Sequence, residues 1–97
     1  MKPTEAQINV TKYLRCLKII DRIKDDWIAW DQHYRYAVAY GLISIYKSIT
    51  DEALQVGLTR AMYTIDNVVE DWIWYQEAAW QEVYNVEKPE IDPTTGY

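Results

Sequence analysis
Two carboxylate pairs stand one helical turn apart in this chain, Asp21/Asp25 and Asp66/Glu70. Carboxylates at i and i+4 share one helix face, and such ladders on helical proteins hold Mg²⁺ or Mn²⁺ for phosphate hydrolysis. Asp31 and His33 are the residues that could complete a mixed site with Asp66 and Glu70. The competing reading is an ordinary salt-bridged face, because Lys18, Arg22 and Lys24 are interleaved with Asp21, Asp25 and Asp26. No Glu-x-x-His pair is present and His33 is the only histidine, so the salt-bridged face is preferred and no metal or other cofactor is expected. Nucleophilic catalysis fares worse. Cys16 is the only cysteine and stands about five helical turns from His33, too far along an axis to pair with it. There is no glycine-rich phosphate loop, nucleophile elbow or zinc spacing. The chain therefore reads as a non-enzyme.

Its aromatic content is more unusual: five Trp, nine Tyr and no Phe. Tyr and Trp combine a large apolar body with a polar tip, and they dominate binding hot spots. A chain of 97 residues has a thin core and cannot bury fourteen rings, so part of the set is expected at an interface. Trp30, Tyr36, Tyr40, Trp74 and Trp80 are the expected contacts, with Glu77 and Glu82 as a charged rim. An alternative is a cage in which Trp27 and Trp72 stack on a nucleotide-like ligand while Arg22, Lys24 and Arg35 hold its phosphate.

Charge narrows the partner class. The net charge of −5 argues against direct binding of nucleic acid, which requires basic surface. The balance is uneven: residues 1–50 carry eight Lys/Arg and five Asp/Glu, whereas residues 51–97 carry two and ten. The simplest use of that asymmetry is attraction between helices; the sharper one is an acidic face for a basic partner. In size, acidity and Tyr/Trp content the chain resembles phage-encoded inhibitors of host machinery. That resemblance implies a protein partner whose activity is blocked. A lone cysteine, an N-terminus without an apolar leader and the absence of a membrane-length apolar run lead to a cytoplasmic expectation.

The elements that must position these groups read as helices throughout. Proline occurs only at 3, 89 and 93, and the apolar residues from Val10 to Ile45 recur about every 3.5 positions. Thr4-Glu5-Ala6-Gln7 fits a capping box. Thr50 fits an N-cap, with Asp51 and Glu52 on the positive end of a following helix. One internal match appears at an offset of 45: RCLKIIDRIKDDWIAW at 15–30 against RAMYTIDNVVEDWIWY at 60–75. Both copies carry the triplet Asp-Trp-Ile, at 26–28 and 71–73. Because Glu70-Asp71 sits within strong helical periodicity, Asp25-Asp26 is read as helix too.

The expected fold is all-α. A continuous helix over about 5–47 turns near residue 50 into a second over 51–86, followed by an extended tail at 87–97. Residues 1–86 then form one helical domain, a long antiparallel hairpin in which Trp27 meets Trp72. Ala37 and Gly41 would face Gly57 and Ala61 at close approach. A two-helix hairpin buries too little alone, so a homodimer forming a four-helix bundle is expected. The alternative is a three-helix bundle broken near Asp25.

Overall fold
Thr4 opens the first helix with the capping box its sequence requires. The Gln7 amide donates to Thr4 Oγ1 at 3.2 Å, and the Thr4 amide donates to Gln7 Oε1 at 2.8 Å. In the computed structural model, which describes residues 2–66 and Trp72, this helix (α1) spans Glu5–Asp26. It does not continue to residue 47. A single 3₁₀ turn, Trp27–Ala29, follows, then Trp30 in extended conformation, and a new helix (α2) spans Gln32–Ser48. A third (α3) spans Glu52–Asp66. The expected helix 51–86 is thus described through Asp66 and at Trp72. Its remainder and the tail at 87–97 lie outside the described residues.

The break has a local cause. Asp31 is an N-cap: its carboxylate accepts from the Tyr34 amide at 2.8 Å, which satisfies an orphan donor at a helix start. Asp25 and Asp26 stand at the C-terminal end of α1, where the helix dipole disfavours negative charge. The repeat argument for continuity fails at the first copy, where α1 ends at Asp26 within the matched stretch. The second boundary falls where expected but with a different cap. Asp51, not Thr50, accepts from the Leu54 amide at 3.3 Å.

The three helices run up, down and up. At one end, Asn9 of α1 meets Thr50: its Nδ2 donates to Thr50 Oγ1 at 2.9 Å, and the Thr50 amide donates to Asn9 Oδ1 at 3.1 Å. At the other end, Arg22 of α1 donates to the Tyr34 hydroxyl of α2 at 3.3 Å. Both α2 and α3 pack on α1. Tyr46 of α2 and Thr59 of α3 also share a hydrogen bond at 2.9 Å, so three helices around one core replace the hairpin.

The apolar periodicity explains the core. Cys16, Ile19, Ile20 and Ile23 form the inner stripe of α1, which Trp27 of the 3₁₀ turn extends, while Leu58, Met62, Ile65 and Trp72 supply the other side. In α2 all seven residues from Ala37 to Ile43 are buried, the mark of a helix apolar all round rather than on one face. Gly57 lies against Tyr13 of α1, not against Ala37 or Gly41; a Cβ there would sit 3.6 Å from Tyr13 Cε2, an ordinary contact. The internal repeat acquires a spatial meaning. Thr50 Oγ1 donates to Glu5 Oε1 at 2.7 Å and Trp27 lies against Trp72, both at the 45-residue offset, so α1 and α3 run side by side in register. Among the described residues there is no strand, and no helix is long and apolar enough to cross a membrane.

Candidate functional site
The corner between α1 and α2 gathers most of the described residues that the sequence marks for binding. Trp27 and Trp72 meet edge-on with ring centroids 5.6 Å apart, as expected, although a broken first helix and not a hairpin brings them together. Trp30 lies 6.3 Å from Trp27 and 4.8 Å, edge-on, from Tyr34. The Arg22 guanidinium stands 5.3 Å from the centre of the Trp30 ring, and that of Arg35 stands 5.4 Å from Trp27, both within cation–π range. Arg35 also fastens the turn: its Nε donates to the Trp27 carbonyl at 2.8 Å and its Nη2 to that of Ile28 at 3.3 Å. The Trp30 amide donates to the Trp27 carbonyl at 3.2 Å and closes it.

Burial divides the cluster. Trp27 and Trp72 are 3% and 0% exposed, so neither ring offers a face on which a flat ligand could stack in this fold. Trp30 and Tyr34 keep part of their surface in solvent. Ile28 is 92% exposed, far beyond the 39–65% of the other exposed large apolar residues. Ala29, Asp25, Asp26 and Asp31 are exposed around it. Sequence reasoning passed over Ile28, although its place in the duplicated Asp-Trp-Ile triplet was on view.

The remaining expected residues fall as follows. Tyr40 is buried at 6% exposure in the core, so the expectation of a surface contact there is corrected; it lies in the all-round apolar stretch of α2. Tyr36 is half-buried and packs on the core. Lys24 is half-buried on α1. Trp74, Trp80, Glu77 and Glu82 lie outside the described residues, as does Glu70. Asp31 is engaged as a helix cap, His33 is exposed beside it, and Asp66 is the last described residue of α3. Among the described residues, no three His, Cys, Asp or Glu side chains are grouped closely enough to hold a metal ion.

Two buried polar groups stand out. Burial pushes the Cys16 thiol up from 9.0 to about 12, against a smaller lowering by Arg15, so it is an inert core group and not a nucleophile. Trp72 Nε1 is buried without a hydrogen-bond partner. No protein family matches the chain, and no curated protein or solved structure is similar to it.

Proposed function
We propose that the chain is a non-enzymatic interaction protein that binds another macromolecule through an aromatic and acidic helical surface centred on the α1–α2 corner. One observation carries the reading: Ile28 and Ala29 are held outward, beside the half-buried Trp30, by a turn whose carbonyls are fastened by Arg35. Leaving such a residue in water forgoes about 1.5–3 kcal/mol of burial free energy, which association can recover. A fixed backbone also lowers the ordering cost of binding. The test is capture from cell lysate by the immobilised chain beside an unrelated acidic helical protein. A protein retained only by this chain supports the reading; identical profiles on both contradict it.

A homodimer is the second part of the proposal. The apolar side chains of Ile8, Val10 and Leu14 on α1 and Val56 on α3 are exposed and support it. A monomer mass independent of concentration in sedimentation would remove it.

A nucleotide-like ligand is the alternative reading, favoured by one observation: the buried indole donor of Trp72 would gain a partner from a ligand acceptor. Thermal stabilisation by added nucleotides would support it. The burial of Trp27 and Trp72 places it second.

A further inference from the structure
We infer that the α1–α2 corner is a plug for a basic protein: Ile28 enters an apolar socket on the partner, and Asp25, Asp26 and Asp31 meet lysines or arginines on the socket's rim. This deepens the interaction reading and rests on it.

Three features converge on that geometry. The first is projection. Ile28 is 92% exposed while its neighbour Trp27 is 3% exposed, so a buried anchor and an outward apolar group alternate within one 3₁₀ turn. The second is rigidity. The carbonyls of Trp27 and Ile28 both accept from Arg35, and Asp31 pins the start of α2. A fixed apolar group fits a preformed pocket without a large ordering cost. The third is charge. From Asp21 to His33 all four aspartates, at 21, 25, 26 and 31, are exposed, with Asp31 keeping one oxygen on the α2 cap, while the cations of that stretch, Arg22 and Lys24, are half-buried.

That charge pattern selects the occupant. Nucleic acid and anionic lipid would meet carboxylates with phosphates, an unfavourable pairing. A second copy docked corner to corner would place aspartate on aspartate. A protein whose pocket is rimmed by Lys and Arg satisfies both parts of the corner. An apolar anchor within a charged rim is also the common anatomy of protein interfaces. The Trp27–Trp72 contact seats the base of the corner on the bundle core.

The experiment measures the dissociation constant of the protein captured by the wild-type chain against four versions: wild type, Ile28→Asp, the triple variant Asp25→Asn/Asp26→Asn/Asp31→Asn, and Tyr63→Ala. Asparagine caps helices as well as aspartate, so the triple variant removes charge and keeps α2. Tyr63 is 65% exposed on α3 and serves as the control. Circular dichroism checks each fold, with Ile28→Ser replacing Ile28→Asp if the aspartate lowers helicity. The expected result is a loss of at least about 30-fold for the Ile28 variant. A smaller loss is expected for the triple variant, with a flatter salt dependence, and no change for Tyr63→Ala. Equal affinity of wild type and Ile28 variant overturns the plug and leaves the interaction reading standing. Self-association abolished by the Ile28 variant makes the occupant a second copy and also overturns it. Failure of wild type to retain any protein removes the interaction reading and the plug together.

Discussion

The chain turns twice, and the two corners solve the same problem with opposite chemistry. Each is closed by an aspartate N-cap, Asp31 before α2 and Asp51 before α3. Each contains an isoleucine. At the second corner Ile49 is 3% exposed, and a polar clamp surrounds it. Asn9 and Glu5 hold Thr50, Gln55 Nε2 donates to the Ile49 carbonyl at 2.8 Å, and Lys12 Nζ to that of Ser48 at 3.2 Å. At the first corner the clamp is aromatic and cationic, and Ile28 is 92% exposed. A turn in this fold can bury its isoleucine, since one does. The outward Ile28 is therefore a property of the first corner and not of turning as such.

The contrast is open to direct attack. Trp27→Ala should have the largest effect, about 3–5 kcal/mol of lost stability in denaturant unfolding, because the ring is buried against Trp72 and carries the corner. The two isoleucines should then separate cleanly. Ile49→Ala should cost about 2–4 kcal/mol by the same measurement. Ile28→Ala should fall within about 0.5 kcal/mol of wild type. Equal costs would mean that the first corner packs its isoleucine after all.

Cys16 reports on the core between the corners. Its folded pKa of about 12 lies above the ordinary 9.0, so the folded state keeps a proton that the unfolded state releases. The stability is full below pH 9 and falls as pH rises from 9 towards 12, at up to about 1.4 kcal/mol per pH unit. Cys16→Ala should remove that component of a pH-resolved melting series, and the native thiol should resist alkylation at pH 8. The smallest expected change is a gain. Gly57→Ala should stabilise by about 0.5–1 kcal/mol in thermal melting, since the helix gains propensity and Tyr13 leaves ordinary contact distance.

The all-helical class, the capping box at Thr4 and the chain reversal near residue 50 were legible in the sequence, because periodicity and capping are local signals; the Trp27–Trp72 contact was expected from an antiparallel fold-back, whereas α1 and α3 bring it about side by side. The break after Asp26 was not. The cue was Asp31, an N-cap residue followed three positions later by the amide it binds, yet the duplicated triplet argued for a continuous helix. Repetition matched the two tryptophans that pack together, and it carried no information on the 3₁₀ turn at Trp27. Tyr40 was misplaced for a related reason: an aromatic count says that some rings must be outside, but only three-dimensional packing says which. Ile28 escaped notice because an isoleucine at helical spacing ordinarily points inward, and a single 3₁₀ turn was enough to point it out.

Everything proposed for the corner depends on the corner existing. Spin labels on Thr11→Cys and Ser48→Cys, in a Cys16→Ala background, measure that with one distance. In the folded chain Lys12 reaches the Ser48 carbonyl, so the two labels should lie well under half the span of a continuous helix. A first helix unbroken from residue 11 to residue 48 would hold them roughly 55 Å apart. A short distance supports the broken helix and the corner it creates; a distance near that full span would contradict both.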